Sequence, residues 1–191
     1  MQLVFASNNL HKIEEIQNLV GSEIQILSLK DIGCFEDIPE TAETIEGNAI
    51  LKADYVTEKY GYNCFADDSG LEVDYLNGAP GVYSARFAGE QKNDQDNIDK
   101  VLKELKDVQN RKANFKTVIA LNLNDEQKLF TGIIDGNITT TQKGNQGFGY
   151  DPIFQPTKYE ITFAEMDQKE KSAISHRGQA VSQLLSFLSG K

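Results

Sequence analysis

Long apolar runs are missing from this 191-residue chain: no window approaches the roughly 18 consecutive apolar residues that a membrane span requires. The first residues, Met1-Gln2-Leu3-Val4-Phe5, carry neither a basic segment nor a cleavage-like stretch, so no signal peptide is expected and the protein is read as cytoplasmic. Cysteine is scarce. Cys34 and Cys64 are far apart and lack CxxC spacing, which favours reduced structural thiols over a disulfide or a metal knot. His11 and His176, in neither an HxxxH nor an HxH pattern, exclude a His-rich metal centre. Positive charge is in deficit, 19 bases against 29 acids for a formal net charge of −10. Such a surface repels polyanions, so long nucleic acid is excluded as a partner. A small anionic substrate carried with a divalent cation remains compatible, because a few local bases and a metal overcome the global field. There is no GK[ST] ending to make a P-loop and no GxSxG elbow for a Ser-His-Asp hydrolase. Repeats and low-complexity tracts are absent as well.

What is present is the composition of an ordinary globular protein, 39% hydrophobic and 25% charged. The length fits a single domain over residues 1–191, built either as one body or as two small lobes around a cleft. Residues 3–6 read as a strand, followed by a polar turn at Ser7-Asn8-Asn9 and a helix marked by Ile13, Ile16, Leu19 and Val20. Residues 24–29 alternate as a second strand. Apolar positions at Ile45, Ala49, Ala53, Val56 and Tyr60 predict a long helix over residues 42–60, ended at Gly61. An apolar run at 63–66 leads into Asp67-Asp68; Ser69-Gly70 reads as a turn pair, and residues 71–76 as an alternating strand closed by Asn77-Gly78. Ile98, Val101, Leu102 and Leu105 mark another helix. Strands at 115–123 and 128–135 flank a hairpin turn at Asn124-Asp125, and residues 138–142 add a third strand after Gly136-Asn137. Gly144, Gly147 and Gly149 open a loop, and Val181, Leu184, Leu185 and Leu188 define a final helix. The interleaving predicts a mixed-sheet α/β or α+β protein.

Four polar segments interrupt this scaffold. SNNLHK, at 7–12, sits where a strand hands over to a helix, so free backbone N–H groups and the positive end of the helix dipole offer an anion site, with Lys12 in the first turn. Its plain alternative is an N-cap beside a solvated lysine. Asp67 and Asp68, with Glu40 ahead of the long helix, would supply the oxygen ligands that magnesium takes, and Lys52 in that helix would balance the charge. Here the plain alternative is a hairpin with a solvated acidic edge. GFGYDP, at 147–152, places Phe148 between two glycines. A nucleobase stacked on that ring would gain roughly 1–3 kcal/mol with little regard to base identity; otherwise Phe148 and Tyr150 plug the core under a loop. Asp151, preceding Pro152, is expected in an extended conformation as a fixed acceptor. Lys171, Ser175, His176 and Arg177 cluster at the start of the last helix, with Ser175 a natural N-cap.

With these segments in view, the sequence resembles the inosine triphosphate pyrophosphatase, or Ham1, family. The resemblance runs from about Leu3 to Leu188 and rests on DDSGLEVDYLNGAPGVYSARFAG, GFGYDPIF and EKSAISHRGQA, in family order. It implies a long twisted mixed sheet flanked by helices, with two lobes around a central cleft, in a homodimer. It implies magnesium-dependent cleavage of ITP, dITP and XTP to the nucleoside monophosphate and pyrophosphate, which removes deaminated purines from the nucleotide pool. Carried over residue by residue, the triphosphate-binding segment matches Ser7, Asn8, Asn9, Leu10, His11 and Lys12, with Lys52 as a further phosphate contact. The metal-binding acids match Glu40 and Asp68, and Asp68 also matches the proton acceptor. Ser69 matches a substrate contact; Phe148, Gly149, Tyr150 and Asp151 match the base-binding loop; Lys171, His176 and Arg177 match the remaining contacts. The first motif departs modestly, reading Ser-Asn-Asn where many relatives have Thr-Gly-Asn or Thr-Asn-Asn. The loop at 33–44 is less typical, and Glu43 competes with Glu40 for the metal. Two rivals stand beside this reading: a Maf-like nucleotide pyrophosphatase with other base preferences, and a nucleotide sensor without turnover.

Overall fold

The computed structural model describes residues 1–9, 12–13, 16–17, 20 and 24–190. Among the described residues, six strands form one mixed sheet: β1 (Gln2–Phe5), β2 (Gln25–Leu27), β3 (Cys64–Val73), β4 (Lys112–Leu123), β5 (Glu126–Ile138) and β6 (Phe154–Pro156), in the order β2-β1-β3-β4-β5-β6. β1 runs parallel to both β2 and β3, whereas β5 and β6 are antiparallel. β4 and β5 are joined at Asn124 and Asp125, whose φ values of 51° and 65° are those a tight I′ hairpin turn demands. Helices α1 (Ile45–Tyr60), α2 (Asp94–Glu104), α3 (Gln168–Ile174) and α4 (His176–Leu188) complete the scaffold. The backbone is also helical at Lys12, Ile13, Ile16 and Gln17, where the periodicity places the first helix. Leu19, singled out for that helix, lies outside the described residues. No helix among the described residues is long and apolar enough to cross a membrane.

The chain divides into two compact units, one made of Met1–Asp68, Val118–Thr131 and Ala180–Lys191, the other of Ser69–Thr117 and Gly132–Gln179. In the first, Leu3, Phe5, Phe65, Ile119, Leu121 and Phe130 form a core with Ala180, Val181 and Leu184 of α4. Phe5 and Phe65 lie on the paired strands β1 and β3 with their rings stacked 4.6 Å apart. In the second, Leu71, Val73, Phe115, Ile138, Phe154 and Phe163 pack with Ile98, Val101 and Leu105 on and just beyond α2.

Helix α1 follows directly from its sequence. Thr44 caps its start by accepting from the Gly47 amide, and Gly61 ends it in a left-handed conformation, φ 74°. Its buried stripe is Ile45, Asn48, Ala49, Lys52, Ala53 and Val56. An asparagine and a lysine on an apolar stripe must find polar partners or destabilise the helix's packing, and those partners mark the site described below.

Five expectations need correction. Strand β3 does not stop at the acids but runs unbroken from Cys64 through Asp67, Asp68, Ser69 and Gly70 to Val73, since carboxylates are tolerated inside a strand where each meets a lysine. Residues 74–76 form a 3-10 turn rather than the end of a second strand. Gly136 and Asn137 do not turn the chain: β5 continues to Ile138, and the strand partner beyond is β6. A glycine stands at 136 because of close approach, not flexibility. A Cβ there would lie 2.4 Å from the Gln155 carbonyl oxygen and 2.7 Å from the Phe154 ring. Asp151 opens a 3-10 turn, Asp151–Ile153, instead of lying extended, with Pro152 in a position where its missing N–H costs nothing. The second strand is shorter than the alternation suggested, Gln25–Leu27. Cys34 and Cys64 are buried free thiols, and burial pushes the Cys64 thiol well above its ordinary range.

Gly136→Ala is therefore expected to destabilise the protein by about 1–3 kcal/mol through overpacking. A thermal melt reads this as a fall of roughly 2–4 °C per kcal/mol, and an unchanged melt would show that β6 can retreat from β5.

Candidate active site

Side chains alternate along a strand, so the adjacent acids of β3 face opposite ways. Each has its own lysine. Asp67, 1% exposed, pairs at 2.8 Å with the Lys12 ammonium. Lys12 is set by the turn after β1: Asn9 Oδ1 accepts from the Lys12 amide at 3.3 Å, and Ser7 Oγ accepts from the Asn9 amide at 3.2 Å. This is an N-cap in which Ser7 and Asn9 use their oxygens to organise the turn. Asp68 instead faces α1. The Lys52 ammonium lies 3.8 Å from its carboxylate and donates to Glu40 Oε1 at 2.6 Å. Asn48 Nδ2 donates to Asp68 Oδ2 at 3.3 Å, while its own Oδ1 accepts from the Ala42 amide at 2.9 Å.

Three carboxylates thus share two ammoniums, Lys12 and Lys52. Burial alone would discharge Lys52, but Asp68, Asp67 and Glu40 outweigh it and hold the ammonium above the ordinary lysine value. Asp68 moves up from the usual aspartate value: burial drives it, Glu40 and Asp67 add to it, and Lys52 and Lys12 offset only part. A surplus negative charge therefore sits on the Asp68 side of β3. Glu43 is exposed, whereas Glu40 reaches the Lys52 ammonium.

The second unit builds a different environment. Gly147 has φ 76°, and a Cβ on it would lie 2.0 Å from Asp151 Oδ2, so only glycine lets the loop fold back onto that carboxylate. Asp151 Oδ2 accepts from the Phe148 amide at 2.9 Å and from the Lys171 ammonium at 2.7 Å. Burial pushes the Asp151 carboxyl up, with Lys171, the Phe148 amide and Arg177 pulling back only partly. Phe148 stays half-buried, with the Lys171 ammonium 5.0 Å and the Arg177 guanidinium 5.4 Å from its ring centre, inside cation–π range. His176 lies flat against Phe115, centroids 4.7 Å apart and planes 9° apart. The loop is tied a second time where the Gly149 amide donates to Asp94 Oδ2 at 2.8 Å.

A model of the Ham1 family matches residues 3–187. The chain belongs to the Ham1 family. It is 67% identical over 187 residues to a protein of Flavobacterium psychrophilum named dITP/XTP pyrophosphatase, with 98% of each chain covered. A protein of the same name from Flavobacterium johnsoniae is 65% identical over 188 residues, again with 98% of each covered. Among solved structures, the chain is similar to the Staphylococcus aureus Ham1 protein at 41% identity and a TM-score of 0.93, covering 100% of this chain and 99% of that one.

Of the residues that the Ham1 resemblance marks, Glu40, Lys52 and Asp68 meet directly, and Lys12 meets Asp67. Ser7 and Asn9 shape the turn and Asn8 is exposed. Leu10 and His11 lie outside the described residues. In the second unit Phe148, Asp151, Lys171 and Arg177 gather, with Gly149 tied to Asp94. Tyr150 goes to the core, its hydroxyl donating to the Ser84 carbonyl at 2.7 Å, so the ring pair at 148 and 150 splits between surface and core. Ser69 Oγ lies 2.7 Å from Thr117 Oγ1. Lys171 stands on α3, separate from His176 and Arg177 on α4, and Ser175 caps α4 by accepting from the Gly178 amide at 3.1 Å. Sequence reasoning missed Asn48, Phe115, Asp94 and Thr117. Asn48 left a signal, a weak helix former on an apolar stripe; Phe115 in a strand left none.

The buried Asp151 pair yields a stability prediction. Asp151→Asn leaves the Lys171 ammonium buried without its counter-ion and is expected to cost about 3–5 kcal/mol, whereas replacing both partners by Leu and Met recovers most of the loss. Urea denaturation read through the midpoint at constant slope checks this.

Proposed function

We propose that the chain hydrolyses ITP, dITP and XTP to the nucleoside monophosphate and pyrophosphate, with magnesium. The observation that carries the reading is the Lys52 ammonium held between Glu40 at 2.6 Å and Asp68 at 3.8 Å, in a chain whose relatives bear the name dITP/XTP pyrophosphatase.

The donor set fits magnesium. That ion takes one or two carboxylates and fills the remaining positions with phosphate oxygens and water. Glu40 and Asp68 would supply a partial shell that a nucleotide would complete. When bound, the ion neutralises phosphate charge and polarises the reacting phosphoryl group.

The chain's own groups do the rest. Lys12 and Lys52 present ammoniums to the phosphates, each anchored by a carboxylate that fixes its direction. Asp68, moved up by burial and like-charge neighbours, is suited to take a proton from water. The water oxygen bonds to the α-phosphorus, the bond from that phosphorus to the bridging oxygen breaks, and pyrophosphate leaves. Asn48 holds the Asp68 carboxylate from the other side. In the second unit Phe148 offers a stacking face, and Lys171 and Arg177 are donors only. Hypoxanthine and xanthine present an O6 acceptor, whereas adenine presents an N6 donor. A buried donor facing a donor is costly, so these two side chains discriminate against adenine. Assembly as a homodimer belongs to the same proposal and rests on the family resemblance; residence in the cytoplasm is proposed with it.

Purified protein with magnesium should release pyrophosphate and monophosphate from ITP, dITP and XTP while largely sparing ATP, GTP and dTTP. Orthophosphate release, or a pyrimidine preference, would assign another nucleotidase. Asp68→Asn should lower turnover by about 10²–10⁴-fold with nucleotide affinity nearly unchanged; equal losses in both would count against a proton-accepting role.

A further inference from the structure

Residues 36–44 have no regular secondary structure, yet they run along α1 in a fixed order. Glu36 Oε1 accepts from the Tyr55 hydroxyl at 2.9 Å, from the Tyr60 hydroxyl at 2.6 Å and from the Lys59 ammonium. Four residues on, Glu40 accepts from Lys52; then the Ala42 amide donates to Asn48, and Thr44 takes the Gly47 amide. Loop positions 36, 40, 42 and 44 thus meet helix positions 55–60, 52, 48 and 47, an antiparallel strap pinned from the last turns of α1 to its first. The span leaves little slack. From Lys59 to Lys52 the helix rises about 10 Å, and four extended residues reach at most about 14 Å. Pro39 stiffens the step before Glu40.

The upper anchor is well built. Lys59 also donates to the Tyr55 hydroxyl at 3.0 Å, and its ammonium lies 5.1 Å and 5.6 Å from the Tyr55 and Tyr60 ring centres. Lys59, Tyr60 and Tyr55 together hold the Glu36 carboxyl down to about 2, so this anchor stays ionised at any pH near neutrality. No group that would touch substrate takes part. Glu40 itself is 36% exposed at its side chain, so its position depends on how the loop that carries it is held.

We propose that Glu36 is a positioning residue for Glu40: by fixing the strap on the last turns of α1, it sets the register at which Glu40 meets Lys52 and so prepares Glu40 and Asp68 for a divalent cation. The proposal rests on the hydrolase reading above for the role of Glu40, but the register of the strap can be measured without it.

The test compares the parent with Glu36→Ala and Tyr60→Phe. In metal-free protein, amide hydrogen exchange at residues 37–43 should rise by about tenfold in Glu36→Ala, with α1 still protected. Mn²⁺ binding followed by paramagnetic resonance should weaken by about tenfold. The Mg²⁺ needed for half-maximal ITP hydrolysis should rise in parallel, with turnover at saturating Mg²⁺ and the ITP-to-ATP ratio retained. Tyr60→Phe, which removes one donor of three, should shift each quantity less and in the same direction. A folded Glu36→Ala protein with parental exchange and parental Mn²⁺ affinity overturns the proposal, as does loss of protection in α1 itself, which would make Glu36 a helix stabiliser only. Should the parent show no metal-stimulated hydrolysis, the hydrolase reading fails, and exchange with Mn²⁺ binding alone decides the role of Glu36.

Discussion

The Lys52 ammonium, buried on the apolar stripe of α1, is the constraint on which the first unit depends. An ammonium in such a place is tolerated only with carboxylates at hand, and three are within its electrostatic reach. Meeting that demand brings Glu40 in from a loop with no regular structure and Asp68 in from the middle of a strand. Asn48, one turn before Lys52, joins the same two segments with the two ends of one amide. Structure and chemistry have the same origin here, because the charge that would stabilise phosphate is also the charge that assembles the acids.

The second unit solves a related problem with the sign of the key group reversed. Asp151 is buried and needs cations and amides, and it gathers Lys171 and the Phe148 amide to itself. The loop of glycines closes over this carboxylate, and the half-buried Phe148 ring is left beside two cationic side chains. A preorganised set of donors of this kind can read acceptors on a ligand without moving.

Much of this was legible in the sequence where a local rule operates alone. The spacing of Ile45, Ala49, Ala53 and Val56 gave helix α1 to within a turn at its start and to the residue at its end, because periodicity and a C-terminal glycine agree. Asn124-Asp125 was readable as a turn for the same reason. Failures came where a distant partner overrides the local signal. Ser69-Gly70 and Gly136-Asn137 look like turns, yet both lie within strands: the first is carried by a strand whose acids are neutralised by Lys12 and Lys52, the second by a close approach of β6 that only glycine permits. Nor does a sequence say that neighbouring Asp67 and Asp68 belong to different lysines, or that Glu36 reaches across to Tyr55, Lys59 and Tyr60. Those pairings depend on three-dimensional register, which has no local code.

That register has a further consequence. β3 is aligned on β1 by the pairs Val4 with Cys64 and Phe5 with Phe65, and the two phenylalanine rings are stacked. A slip of one residue would exchange the faces of every following side chain, so that, by its direction, either Asp67 would take the place beside Lys52 or Asp68 would take the place beside Lys12. One aspartate would then stand in the other's place with no change in composition or charge. The aromatic stack, two positions ahead of the first acid, thereby works as a gauge: its own chemistry is inert, but it decides which of two chemically identical carboxylates meets Lys52.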